Sequence, residues 1–145
     1  MGKKSWKDSA DKRERGGFCA WPHSCATHES FYKLSMSAKA LLFELLGQYR
    51  GNNNGDLCCA WGLLKNRGWK SRATIERACD ELQNIGWIVR TRVGGRNRAN
   101  LYALTFYTID ECKGKLDYRP MKGNPLGYWK TGENPEFKKI PKPRN

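Results

Sequence analysis

The sequence has no long apolar run. No stretch approaches the ~20 apolar residues of a membrane-crossing helix. Met1-Gly2-Lys3-Lys4-Ser5-Trp6 leads into charge rather than into the apolar core of a secretory signal. No membrane partner is expected, and a cytoplasmic protein is. Its six cysteines then read as reduced thiols and not as a disulfide framework. Histidine is scarce, at two in 145 residues. No Gly-rich loop ends in Lys-Ser or Lys-Thr, which leaves out the phosphate-binding motif of NTPases. No Ser, His and Asp stand in a recognisable catalytic context, so acid–base chemistry lacks its players. Neither an enzyme nor a cofactor is expected. Acidic side chains are also in deficit: 27 Lys and Arg face 14 Asp and Glu, for a net charge of +13. Such an excess suits a polyphosphate partner.

The positive charge is not confined to the ends. Residues 35–106 carry eleven basic against five acidic side chains, and this is the segment with the clearest folding signals. Residues 1–17 are charged, polar and Gly-ended, and read as a mobile basic arm. Residues 18–109 read as the folded domain. Its first part, 18–34, is rich in aromatics (Phe18, Trp21, Phe31, Tyr32) and is expected to hold a short strand and a turn. Residues 110–145 recur in Lys, Gly and Pro. They read as an extended or disordered tail, or as one whose first part is strapped to the domain.

Within the domain the apolar period is helical three times. Ala38, Leu41, Leu42, Leu45, Leu46 and Tyr49 make one inner stripe of a helix over Ser37–Tyr49, with Ser35 or Ser37 as cap. Asp56–Cys58 can form a very short strand. Cys59–Asn66 reads as a short helix broken by Gly68. Ser71–Ile85 is a third helix, capped by Ser71 and stopped by Gly86, with Ile75, Ala78, Leu82 and Ile85 inward. The period then changes to that of strands. Trp87–Val93 and Leu101–Phe106 pair across Gly94-Gly95, giving a hairpin with the basic tip Arg96-Asn97-Arg98.

Cys19, His23, Cys25 and His28 are zinc-ligand types within ten residues. Their spacing is too short for the paired ligands of knuckles and fingers, so a metal is not expected. Adjacent Cys58 and Cys59 read as small packed hydrophobes, Cys79 reads as core, and Cys112 has no evident partner.

The order helix, short strand, helix, helix, strand, wing, strand resembles the winged helix-turn-helix family over about Leu34–Phe106. The stretch Gly68-Trp69-Lys70-Ser71-Arg72-Ala73-Thr74-Ile75, followed by Leu82 and Ile85-Gly86-Trp87-Ile88, carries the resemblance. Within that family it resembles the winged-helix proteins of phages, plasmids and integrated elements, including the N-terminal domains of replication initiators. The resemblance implies an α+β fold of three helices and a two- to three-stranded hairpin wing, with extended basic N- and C-terminal tails. It implies a bacterial cytoplasm or nucleoid setting and double-stranded DNA as partner. The third helix would enter the major groove with its N-terminal residues at base edges. Arg72 and Arg77 then suit guanine, Lys70, Ser71 and Thr74 suit phosphate, and Trp69 packs in the turn or against a sugar. On the wing, Arg90 and Arg92 share one strand face by their even spacing, and Arg96, Asn97 and Arg98 suit a minor groove or a phosphate row. A regulator of transcription or a replication factor of a mobile element is the role expected. The alternatives are an RNA partner, or a protein-docking module that inhibits a host nucleic-acid-processing complex; Glu76, Asp80 and Glu81 weaken the positive field late in the third helix. Many such regulators are homodimers, but no long heptad segment is present. Gly123–Trp129 of the tail is a further candidate binding segment.

Overall fold

The computed structural model describes residues 12–138. The expected arm therefore lies mostly outside the described residues, as do residues 139–145. The segment read as a short strand and turn folds instead as two one-turn helices, α1 (His23–Ala26) and α2 (Glu29–Tyr32). The physical reason is local. The carbonyl of Pro22 accepts from the N–H groups of Cys25 and Ala26, both at 3.1 Å. The His28 ring caps the next turn by accepting from the Ser30 N–H at 3.1 Å. Trp21 and Phe31 of this segment then pack against the core, while Phe18 and Tyr32 stay exposed. Trp21 sits 5.4 Å from both Phe31 and Phe106, centroid to centroid.

Ser35 is the cap used, its Oγ accepting from the Ala38 N–H at 3.1 Å, and α3 spans Met36–Gln48. Ala38, Leu41, Leu42, Leu45 and Leu46 are buried as the stripe predicts. The next helix, α4 (Trp61–Leu64), is shorter than expected and tightens into a 3-10 turn over Lys65–Arg67. Ala60 offers no capping side chain at its start, and Gly68 ends it in the left-handed region at φ 94°. The third expected helix is α5 (Arg72–Ile85), with Ser71 Oγ accepting from the Thr74 N–H at 3.3 Å and Gly86 closing it at φ 94°.

Two antiparallel strands follow, β1 (Ile88–Arg92) and β2 (Leu101–Leu104). Ile88 pairs with Leu104, Val89 with Ala103 and Arg90 with Tyr102, and a bulge shifts Arg92 onto Leu101. The strand expected over Asp56–Cys58 reduces to one bridge, Leu57 with Tyr102. Gln48 explains the shortening. Its side-chain amide donates to the Cys58 carbonyl at 2.9 Å and its Oε1 accepts from the Cys58 N–H at 2.8 Å, taking the groups a longer strand would need.

The fold is α+β, with five helices and a two-stranded antiparallel sheet among the described residues. α3 packs on α5, and the inner face of the sheet joins them through Trp87, Ile88, Tyr102 and Leu104. No helix among the described residues is long and apolar enough to cross a membrane.

Packing does not stop at residue 109. Val89 and Ala103 face the other side of the sheet, where Ile109, Leu116, Tyr118, Met121, Leu126 and Tyr128 cover them. This explains why all four residues of β2 are buried: a sheet covered on both faces loses its polar alternation. The segment is irregular, with 3-10 turns over Cys112–Gly114 and Tyr128–Lys130, but it is a strap and not a free tail. Trp129 goes furthest, stacking on Trp87 at 5.3 Å with an interplanar angle of 22°.

Asn54 is a fully buried polar residue at the join between helices and sheet, 0 % exposed. Its Nδ2 donates to the carbonyls of Leu104, Tyr107 and Thr108 at 3.0, 3.2 and 3.0 Å, and its Oδ1 accepts from the Leu104 N–H at 2.8 Å. The turn after α3 is thereby tied to the end of β2.

Candidate functional site

The inner stripe of α5 decides what its other side can offer. With Ile75, Ala78, Cys79 and Leu82 buried, Arg72, Ala73, Glu76 and Arg77 are exposed on the first two turns. Lys70 is exposed just before them. The other expected contacts here are committed to the fold. Ser71 spends its hydroxyl on the cap, Thr74 is half-buried and supplies the capped N–H, and Trp69 packs against the main core. Arg67 is drawn to Glu44 of α3, with Nε 2.7 Å from the carboxylate.

The hairpin sorts its cations in the same way. Its turn runs over Gly95–Arg98, with backbone bonds of 2.8 and 3.1 Å between these two residues. Arg96 and Asn97 stand exposed at the tip, Asn97 in the left-handed region at φ 56°, which asparagine tolerates better than most residues. Gly94 is required where the strands cross, since a Cβ there would lie 2.6 Å from the Arg98 carbonyl oxygen. The even spacing of Arg90 and Arg92 does not make them equivalent, because the bulge falls between them. Arg90 is exposed, whereas Arg92 turns back and donates through Nε and Nη2 to the Ala99 carbonyl at 3.3 and 3.0 Å. Arg98 is exposed but sits 3.4 Å from Asp117 of the strap. Asp117 also accepts from the Val93 N–H at 3.0 Å, and its own N–H donates to the Thr91 carbonyl at 2.9 Å. No local pattern in the sequence marks this clamp, since Asp117 lies in an irregular segment and acts 19 residues away on Arg98.

Between α5 and the hairpin lies a cleft of about 800 Å³. Arg72, Glu76 and Asp80 line it from the helix, Arg90 and Arg98 from the hairpin, and Glu136 and Lys138 from the strap. Cys79 and Tyr102 also line it, with Cys59 alongside. A hydrogen bond from the Cys59 thiol lowers the Cys79 pKa against the effect of burial, with the Tyr102 hydroxyl adding to it. Cys59 and Tyr102 are pushed up in turn, Cys59 chiefly by that bond to Cys79 and Tyr102 chiefly by burial.

The four candidate zinc ligands are not brought together. Cys19 is exposed and Cys25 is fully buried, its thiol pushed up to about 11 chiefly by burial. His28 Nδ1 is engaged with Ser30 at 2.9 Å. Among the described residues no group of three His, Cys, Asp or Glu side chains is placed to hold a metal ion.

Compared with protein-family models, with curated proteins and with solved structures, the chain matches none.

Proposed function

We propose that the protein is a non-enzymatic, winged helix-turn-helix nucleic-acid-binding protein. It takes double-stranded DNA with α5 in the major groove and the β1–β2 hairpin as its wing. One observation carries this reading: Arg72 at the start of α5 and Arg90 of the hairpin line the same cleft, so helix and hairpin offer cations on one side. The order α3, Leu57 bridge, α4, α5, β1, β2 is that of the family the sequence resembles. The role that goes with it is regulation of transcription or replication of a mobile element, in the cytoplasm.

Selection from random duplex DNA at fixed salt tests the reading. An enriched site is expected, and a flat profile sinks sequence-specific recognition. Arg72→Ala and Arg77→Ala are each expected to weaken the selected site by about 1–3 kcal/mol and to relax preference at one base pair. A uniform loss on all sequences would place these arginines on phosphates instead. With Arg92 and Arg98 committed within the fold, Lys70, Arg72, Arg77, Arg90 and Arg96 remain free. With Arg72 and Arg77 on bases and Lys70, Arg90 and Arg96 on phosphates, log affinity is expected to fall with log salt at a slope of about −2.7, or about 0.9 per phosphate contact.

Asp117→Asn offers a gain of binding. The amide still accepts from the Val93 N–H, but the charge that holds Arg98 is gone. Affinity for duplex DNA is expected to rise, with the slope steepening by about 0.9. The melting temperature should move little, since an exposed ion pair contributes at most about 1 kcal/mol. An unchanged slope would show Arg98 plays no part.

A second reading is a protein-docking module, and Glu76, Asp80 and Glu136 in the cleft favour it. Retention of a folded protein by a host complex, with no duplex or RNA binding, would put it first.

A further inference from the structure

α3 is apolar on both sides. Its buried stripe is the core face described above. Its exposed residues are Met36, Ala40, Phe43 and Gly47, with no charge among them, and Met36 and Phe43 are 75 % and 77 % exposed. A surface helix ordinarily turns charged residues outward, and one that is apolar all round is ordinarily covered. The 4-3-4 spacing is the a/d repeat of a two-helix seam. Lys39 and Glu44 flank this stripe on opposite sides, five residues apart, and both are half-buried. Beside the stripe is a hollow of about 380 Å³ walled by Trp21, Phe31, Leu42 and Leu46, with Lys39 among its lining residues.

We infer that this face of α3 is a homodimer interface, in which two copies pack α3 against α3 in parallel about a two-fold axis. Charge selects both the occupant and the direction. In a parallel pair, the residue flanking one seam meets the residue five positions later on the other helix. Lys39 of each copy thus meets Glu44 of the other, twice per dimer. An antiparallel pair would bring the Lys39 sides of the two helices together. Within one copy Glu44 accepts Arg67 through Oε2 and Lys39 Nζ lies 5.1 Å from the Phe31 ring centroid, so the cross-pair draws Lys39 off that ring toward the seam. Ala40 and Gly47 let the helices approach, and Phe43 of one copy reaches the seam of the other. The interface is isologous, as a two-fold axis demands. A helix of this length is about 20 Å long. A seam of four residues on one short helix is small beside the ~800 Å² per partner of a stable complex, so a weak, concentration-dependent dimer is expected.

Sedimentation of the full chain from low to high micromolar concentration tests this. A reversible monomer–dimer equilibrium is expected. Phe43→Asp should remain monomeric at every concentration, with an unchanged circular dichroism spectrum because the site is exposed. Lys39→Glu places like charges across the seam twice and should raise the dimer dissociation constant at least about tenfold. A monomer throughout would overturn the inference, and so would a dimer that Phe43→Asp leaves intact. A dimer that Phe43→Asp dissociates and Lys39→Glu leaves unchanged would overturn the parallel arrangement. None of these results depends on nucleic-acid binding.

Discussion

Asn54→Ala is expected to lower the melting temperature by about 10–20 °C, equivalent to roughly 3–5 kcal/mol. Asn54 satisfies three backbone carbonyls and one backbone N–H inside the protein. Alanine removes all four bonds at once and leaves no water-accessible route for their replacement, since the site is fully buried. A buried group left without a partner costs about 1–3 kcal/mol, more than its hydrogen bond contributes net. The backbone of Asn54 takes part as well, its N–H donating to Asp110 at 2.8 Å and its carbonyl accepting from the Asp110 N–H at 2.9 Å. These bonds remain in the variant, so the loss reports the side chain. Asn54→Asp, nearly identical in shape, should be worse at neutral pH, because its carboxylate would face three carbonyl oxygens. Lowering the pH protonates that carboxyl and restores a donor, so the Asp variant should recover stability in acid relative to the Ala variant. Calorimetric melts of both from pH 7 to pH 4 check this. A melting temperature within a few degrees of the parent for Asn54→Ala would refute it.

Trp129→Ala should cost about 3–5 kcal/mol and move the urea midpoint down by roughly 2 M. Trp129 is 5 % exposed and stacks on Trp87, with His28 edge-on at 5.0 Å. Removing it opens a cavity between α2 and the sheet that the surrounding rings cannot close without leaving their contacts. Its carbonyl accepts from the Ser30 hydroxyl at 2.7 Å, and that bond survives the substitution. Lys122→Ala, at an exposed position of the same strap, should stay within about 0.5 kcal/mol. Equal midpoints for the two variants would mean that the strap is not part of the cooperative unit.

The helices that carry their own signals were legible in the sequence. α3 and α5 each have a serine cap and a clean inner stripe, and α5 has the glycine that stops it. Those signals also placed Arg72 and Arg77 outward, since a buried face at Ile75, Ala78 and Leu82 leaves no other direction. The hairpin was legible from Gly94-Gly95 and the return of apolar residues at Leu101. The roles of Arg92 and Arg98 were not, because each depends on a partner fixed by register or by the strap. The Ala99 carbonyl reaches Arg92 only through the bulge, and Asp117 reaches Arg98 only once the strap lies on the sheet. Residues 23–32 were misread because one-turn helices have no period to detect. The strap carries no periodic signal for a related reason: Pro, Gly and Lys mask six apolar side chains spaced without period, and only the apolar outer face of the sheet gives them a place.

The Ser30 hydroxyl and the Trp129 carbonyl meet across 99 residues of chain. That contact sets an order of events during synthesis. The helices and the hairpin are made well before the indole that completes them, and until Trp129 is added one face of Trp87 has no cover. The outer face of the sheet, Val89 and Ala103, waits in the same way for Leu126 and Tyr128. A newly made chain therefore passes through a stage with apolar surface in water, when association with other chains competes with folding. Closing this long loop comes late, and its entropy cost must be met before its contacts form. A chain cut short within the strap carries α1 to α5, β1 and β2, and no completed core.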